Sequence, residues 1–432
     1  MDPLTVGIFG FFLLLVLLFA GAQIGVAMGV VGVLGFGLLA GVQPALGLLK
    51  SAPYSTFSSF DLCVIPLFVL MGNLAATSGL GASLYRTAYT WIGHLKGGLA
   101  MATVGASAAF AAICGSAIAT TATFGTLTIP EMKKYNYNSQ LAGGCVAAGG
   151  SIGVLIPPSI ILVVYGIITE SSIGKLFLAG FIPGIMEAVM YFLTIKVIVS
   201  IRPDFGPRGP KTTINQKVKS VSYSWDVAAL FLLVIGGIYT GLFTPSEAAG
   251  IGATGAFISL IFRGQLNWGY VKEAFTKTTV TTGMVFWILL GAILFGYFLT
   301  ISQVPNSLAT WIINVSPNRY IVLSLMLVLL VILGALMDEM AIMLLTLPII
   351  YPIILHLEFD PIWFGIIMTR TMEIGMIAPP VGINVFVLAG VTDIPMGKIY
   401  KGIIPFLITD LIQVFLLVVF PQICLFLPQK MA

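Results

Sequence analysis

The sequence predicts an all-α polytopic membrane protein made of two inverted-topology repeats, and three observations predict it. Hydrophobic residues fill 58% of the 432 positions and charged residues 8%, a balance foreign to soluble globular domains. The stretch Gly149-Gly-Ser-Ile-Gly-Val-Leu-Ile-Pro-Pro-Ser159 puts a double proline inside a long apolar run, where it should break a membrane helix at mid-depth. The break recurs at Gly375-Met-Ile-Ala-Pro-Pro-Val-Gly-Ile-Asn384, 222 residues on (379 − 157). At that offset Pro130 falls on Pro352, Gly153 on Gly375, Gly180 on Gly402 and Pro183 on Pro405.

The elements follow in order. Leu4 to Val42 carries no charge and is long enough for two spans of about 20 residues, placed at 4–21 and 23–42. The missing basic n-region argues against a cleaved signal peptide. An amphipathic connector, Gln43 to Phe60, leads to a span at 61–80. Ala82 to Gly97 carries Tyr85, Arg86, Trp91, His94 and Lys96, the aromatic and basic mixture of a headgroup layer. Gly98 to Pro130 is too long for one span and too short for two, which predicts a re-entrant hairpin with its tip at Gly115-Ser116. A broken span at 139–168 carries the first Pro-Pro pair, and 173–199 crosses back. The linker from Ile201 to Ser220 holds Arg202, Arg208, Lys211, Lys217 and Lys219 and must lie outside the bilayer.

The second half repeats this plan: spans at 225–243 and 246–263, a basic amphipathic segment at 264–279, and a span at 281–300. A second hairpin at 320–352 has its tip at Met337-Asp338; a broken span at 361–390 and a last span at 401–427 complete it. Each half then makes five crossings plus one hairpin. Five is odd, so the halves point in opposite directions across the membrane. The charges agree: with the linker cytoplasmic, only Lys50, Lys175, Arg319 and Lys430 are outer and Arg370 is intramembrane, leaving 15 of the 20 Lys and Arg inside (20 − 4 − 1). That is the positive-inside pattern, and it puts both termini outside.

Several chemistries are not expected. Cys63, Cys114, Cys145 and Cys424 lie in apolar surroundings without CxxC spacing, and His94 and His356 have no cluster of ligands near them. There is no GxxxxGK[ST], so the chain should not itself hydrolyse a nucleotide. The net charge of +4 reflects inner loops and not a nucleic-acid partner. No organic cofactor is expected.

A broken helix offers unpaired carbonyls at the end of one half and free N–H groups at the start of the next. Carbonyls suit Na⁺, and amides suit a carboxylate. Two cation sites are therefore expected, one around Gly115, Ser116, Ser151 and Gly153, the other around Met337, Asp338, Glu373 and Gly375. Substrate is expected at the breaks themselves, Pro157, Pro158, Pro379 and Pro380, with Ser159 and Asn384 as hydrogen-bonding groups. Three ionisable residues stand out inside predicted spans. Asp338 can cap a half-helix or serve the site. Arg370 and Glu373 are three apart on one helix and can neutralise each other, while Arg370 can alternatively meet an anionic substrate.

Gly-x-Leu-Ile-Pro-Pro-Ser at 153–159, Ile-Pro-Glu-Met at 129–132 and Pro-Pro-Val-Gly-Ile-Asn at 379–384 resemble the large membrane subunit of tripartite ATP-independent periplasmic (TRAP) transporters. The resemblance covers essentially the whole chain; the first tip reads Cys114-Gly-Ser where the family pattern is Ser-Gly-Ser. It implies a Na⁺-coupled elevator-type importer of small organic acids, C4-dicarboxylates or sialic acid, in a bacterial inner membrane. It implies two partners, a periplasmic substrate-binding protein and a small four-helix membrane subunit. It also implies a moving transport domain at 98–168 and 320–390, with 1–97, 169–319 (including the linker, 201–224) and 391–432 as scaffold. The alternatives are a stand-alone ion-coupled organic-anion transporter and, from another class, an intramembrane enzyme or a channel. The few scattered midplane acids do not suit an enzyme.

Overall fold

In the computed structural model, residues 2–315 and 318–430 are described, and every regular element among them is helical. Positions 1, 316, 317, 431 and 432, at the edges of the predicted scaffold segments, lie outside the described residues. The chain opens with α1 (Pro3–Phe19), α2 (Ile24–Ala40), α3 (Val42–Phe57), α4 (Val64–Thr77) and α5 (Leu80–Ile92). Next come α6 (Gly98–Cys114), α7 (Ala117–Lys134), α8 (Ser139–Ser151), α9 (Ile160–Ile168) and α10 (Ile173–Ile201). The linker contributes α11 (Ile214–Val221), followed by α12 (Trp225–Tyr239), α13 (Pro245–Phe262), α14 (Trp268–Ser302) and α15 (Val304–Val315). The chain ends with α16 (Arg319–Gly334), α17 (Glu339–His356), α18 (Pro361–Ile377), α19 (Ile383–Val391), α20 (Met396–Val419) and a short turn of helix. Five of these elements are long and apolar enough to cross a membrane, or six if the bent α11–α12 pair is one span. Others miss that length because they are interrupted; α1 and α2, at 17 residues each, fall just short of it.

Local chemistry explains the starts. Asp360 Oδ1 accepts from the N–H groups of Ile362 and Trp363 at 2.8 and 3.0 Å, and Pro361 supplies the fixed φ of a first turn. Thr244 and Glu247 cap α13 reciprocally in a capping box. The α6–α7 pair doubles back, because Leu99 at its start donates to Tyr137 Oη beyond its end at 3.1 Å. The α16–α17 pair does likewise: the Tyr320 ring stands 5.8 Å from that of Phe359.

Two segments differ from expectation. The segment 264–279 and the span 281–300 are one 35-residue helix, α14, about 52 Å long at 1.5 Å per residue. Nothing between Tyr270 and Thr282 breaks a helix, since that stretch has no Pro or Gly. In the first half, α3 and α4 remain separate, with Ser58, Ser59 and a 3₁₀ turn at Phe60–Cys63 between them. The linker is also not free. Gly97 donates to Gly206 O and Gly209 to Gly93 O, both at 2.9 Å, and Tyr137 Oη donates to Pro207 O at 2.9 Å. The linker thereby ties together the ends of α5, α6 and α7.

Helices meet through glycine, the packing expected where lipid supplies no hydrophobic drive. Gly25 and Gly32 of α2 face the backbone of α14; a Cβ on Gly32 would sit 2.6 Å from Leu294 C. Gly144 of α8 and Gly402 of α20 are so close that a Cβ on either would overlap the backbone of the facing helix. Gly402→Leu is expected to destabilise the detergent-purified protein by about 3 kcal/mol or more, whereas Gly283→Ala, which meets nothing within 4 Å, leaves it unchanged or stabilised. Thermal unfolding of the two variants checks the pair.

Candidate functional site

The four interruptions meet in two pairs. In the first, α6 stops at Cys114 because Gly115 turns left-handed at φ 61°, and Ser116 Oγ accepts from Ala119 N at 3.3 Å to start α7. Facing it, α8 ends at Ser151 and gives way to a 3₁₀ turn, Ile152–Val154. The cis-linked Pro157-Pro158 follows, and Ser159 Oγ accepts from Leu162 N at 3.3 Å to start α9. A Cβ on Gly115 would lie 3.0 Å from Pro158 O, and Gly153 lies against Ala111. Ser151 Oγ donates to Ala148 O at 2.7 Å, so its hydroxyl proton is committed to its own helix.

The second pair repeats the plan. Asp338 Oδ1 accepts from Met340 N at 3.0 Å and Ala341 N at 3.2 Å, capping α17, with half-buried Met337 before it. The second break also has a cis Pro-Pro bond, Pro379-Pro380, and Gly382 at φ 51° donates to Ala335 O at 3.2 Å. Gly375 and Gly334 are in backbone contact; a Cβ on Gly334 would lie 2.8 Å from Gly375 Cα. The breaks differ in exposure: Pro157, Pro158 and Ser159 are buried, whereas Pro379, Pro380 and Val381 are exposed. Tyr400 Oη sits 2.9 and 2.6 Å from the carbonyl oxygens of Pro380 and Val381.

Arg370 and Glu373 lie elsewhere, in a sealed ion cluster. The guanidinium is 0% exposed, with Nη1 at 2.8 Å from Glu373 and 3.0 Å from Glu187, and Nη2 at 2.5 Å from Asp410. Its Nε donates to Gln413 Oε1 at 2.9 Å, and Gln413 in turn donates to Pro183 O at 2.7 Å. With its donors turned to protein, Arg370 is not presented to a substrate; Glu373 gives Oε2 to Arg370, while its Oε1 has no hydrogen-bond partner. The count of three intramembrane ionisable residues was too low. Glu187, Glu339 and Asp410 also sit on membrane helices.

Unsatisfied polar groups mark where a ligand could bind. Both amide atoms of Asn384, at 0% exposure, have no hydrogen-bond partner, nor do the hydroxyls of Thr120 and Thr121 just beyond the first tip. Glu339 Oε2, one residue beyond Asp338, is likewise unpartnered. Sequence reasoning named Asn384 but not these others; Thr and Ser are so common in membrane helices that position alone gave no signal.

The described helices form an all-helical polytopic membrane protein. It is similar to the crystal structure of the Alcanivorax borkumensis YdaH transporter, with a TM-score of 0.64 at 17% identity over 88% of this chain and 89% of that one. Residues 11–423 match the model of the DctM component of tripartite ATP-independent periplasmic transporters, and the chain belongs to that family. It is 35% identical to the C4-dicarboxylate TRAP transporter large permease protein DctM of Pseudomonas aeruginosa over 87% of this chain and 88% of that one. It is 32% identical to the sialic acid TRAP transporter large permease protein SiaM of Vibrio cholerae over 96% of both chains.

Removing the guanidinium strands three buried carboxylates. Arg370→Gln is expected to cost about 3–5 kcal/mol, read as a fall in melting temperature, and adding Glu187→Gln and Asp410→Asn should recover part of it. A triple variant no more stable than Arg370→Gln would mean that the acids are not the source of the loss.

Proposed function

We propose that this chain is the large membrane subunit of a Na⁺-coupled secondary importer of a small organic acid in a bacterial inner membrane, working by an elevator motion. The observation that carries the reading is the pairing of each hairpin tip with a Pro-Pro break, which gathers backbone carbonyls and half-helix N-termini inside an apolar body. Such a site holds a cation by carbonyls and a carboxylate by amides without a ring of charged side chains. The family description, tripartite and ATP-independent, supports ion-driven work with two partners, a periplasmic binding protein and a small four-helix membrane subunit. The relatives named for C4-dicarboxylates and sialic acid support a carboxylate substrate.

One Na⁺ site is proposed among Gly115, Ser116, Ser151 and Gly153, and a second among Met337, Asp338, Glu373 and Gly375. Glu373 stays in the second set through Oε1, since Arg370 engages only its Oε2. Asn384, with Ser159 and the amides following Pro157-Pro158 and Pro379-Pro380, is proposed for substrate.

The two halves are proposed as inverted repeats, with the linker cytoplasmic and both termini outside. The moving body is proposed to be larger than the hairpins and broken helices. Arg370 on α18 is ion-paired to Glu187 on α10 and Asp410 on α20, and sliding these helices apart would bare charges inside the membrane. α10 and α20 therefore travel with α18. Two clefts at matching positions support the motion. Gly125, Thr126, Ile129 and Pro130 of α7 line a cleft of about 560 Å³ with the end of α19, closed by the Lys133–Asp393 ion pair, which holds the Asp393 carboxyl below its ordinary range. Their equivalents at an offset of 222, Leu347, Pro348, Tyr351 and Pro352 of α17, line a cleft of about 390 Å³ walled by α14 and α15. At these positions hairpin two meets α14 and α15 whereas hairpin one meets α19, and the arrangement is proposed to be inward-facing.

Two experiments test the reading. Saturating NaCl at a hundred times its Kd should stabilise the purified protein by about 2.7 kcal/mol over choline chloride or KCl, and Gly115→Val with Gly375→Val should abolish the difference. Equal melting temperatures in the three salts would remove sodium coupling. A disulfide between Thr300→Cys on α14 and Tyr351→Cys on α17 should stop substrate uptake by proteoliposomes carrying all three components, and reductant should restore it. Undiminished uptake in the cross-linked protein would remove the elevator.

A further inference from the structure

We propose that the exposed groove between α12 and α13 holds an acyl chain of an anionic phospholipid, with the lipid phosphate at Arg86. The groove has a volume of about 420 Å³ and changes character along its length. Leu230, Leu233, Ile258 and Phe262 make an apolar slot, whereas Ser83 and Tyr223 line its end at the linker. Trp225, 59% exposed, stands at that end, and Phe262 is 80% exposed. A tryptophan at the rim and bare apolar side chains below it are the arrangement of a surface that meets headgroups and then acyl chains. From Trp225 to Leu233 the slot runs eight residues (233 − 225), about 12 Å at 1.5 Å per residue, enough for the upper part of a chain.

The charges decide which lipid. Arg263, inside the groove, is already compensated: its Nε and Nη2 lie 2.7 Å from the two Asp226 oxygens and its Nη1 donates to Ser83 Oγ at 2.7 Å. Arg86 at the rim is exposed, stacks 4.4 Å over the Tyr223 ring, and has no carboxylate within ion-pair distance among the described residues. Beside it α11 carries Lys217 and Lys219 together with Ile214 and Val218, which are 79% and 65% exposed. A short basic helix with bare aliphatic residues lies in the plane of the interface. An uncompensated guanidinium above an apolar slot selects a ligand that is anionic at its head and aliphatic at its tail. A soluble anion would gain only the rim, and a zwitterionic lipid only the slot.

Native mass spectrometry of the purified protein, with its small membrane subunit where that stays bound, tests the site with dioleoylphosphatidylglycerol and dioleoylphosphatidylcholine. The expected result is one phosphatidylglycerol retained about fivefold more tightly than phosphatidylcholine. Arg86→Ala should erase that preference, and Ala229→Trp, which fills the groove from an exposed position, should remove the adduct itself. Size-exclusion profiles show that each variant is folded. Equal retention of the two lipids by the wild type, or an unchanged preference in Arg86→Ala, would overturn the proposal. So would an Ala229→Trp variant that sheds the small subunit but keeps its lipid, since the groove would then be a protein interface.

Discussion

The constraint on which the rest depends is that a backbone N–H or C=O inside a bilayer must find a partner within the protein. Each Pro-Pro pair removes two donors and frees the carbonyls before it, and each hairpin tip opens a helix in the same way. The chain answers by bringing an opened tip to an opened helix. Gly382 donates to Ala335 O across the second pair, and Ser116, Ser159 and Asp338 accept the N–H groups of the half-helices they begin. The close approaches follow from this, because Gly115 against Pro158 and Gly334 against Gly375 leave no room for a side chain. Residues that looked like ligands are in the first place what makes an interrupted membrane helix tolerable. A hydroxyl that accepts one amide, or a carboxylate that accepts two, retains lone pairs, so capping and ion binding do not exclude each other.

The buried ion cluster answers a different need. One guanidinium facing three carboxylates is an expensive way to join helices, and well-packed apolar side chains would often hold as well. What charges add is intolerance of displacement: parting α10, α18 and α20 would bare charges inside the protein. Glu187 and Asp410, on the helices that follow the two breaks, grip the same arginine, so the cluster also joins one half of the chain to the other.

Much of this was legible in the sequence, and the rest was hidden for identifiable reasons. Pro157-Pro158, Pro379-Pro380 and the glycines at their offset announced the breaks, because proline and glycine constrain the backbone whatever surrounds them. The tips at Gly115 and Asp338 followed from counting residues against bilayer thickness. The division at 264–300 failed because an amphipathic helix and a membrane helix have the same backbone, and no breaker separates them in α14. Arg370 and Glu373 were seen as a pair since they share a helix. Glu187 and Asp410 complete the cluster from elements 183 and 40 residues away from Arg370 (370 − 187 and 410 − 370), a distance over which spacing says nothing.

The two breaks, equivalent in sequence, are unequal in the fold. Leu155 O and Ile156 press onto Gly180 and Gly184 of α10, and that contact seals the first break. The corresponding helix, α20, has Gly402 at the place of Gly180 but Phe406 at the place of Gly184, on an offset of 222. A phenylalanine there cannot admit a backbone. Gly402 is itself taken up by α8, and Phe406 packs edge-on against Tyr191, 5.2 Å between centroids. The second break is left exposed, with Tyr400 Oη at the carbonyls of Pro380 and Val381. The glycine replaced by an aromatic residue accompanies an asymmetry in which Pro379, Pro380 and Val381 are exposed while Asn384, just beyond them, is buried.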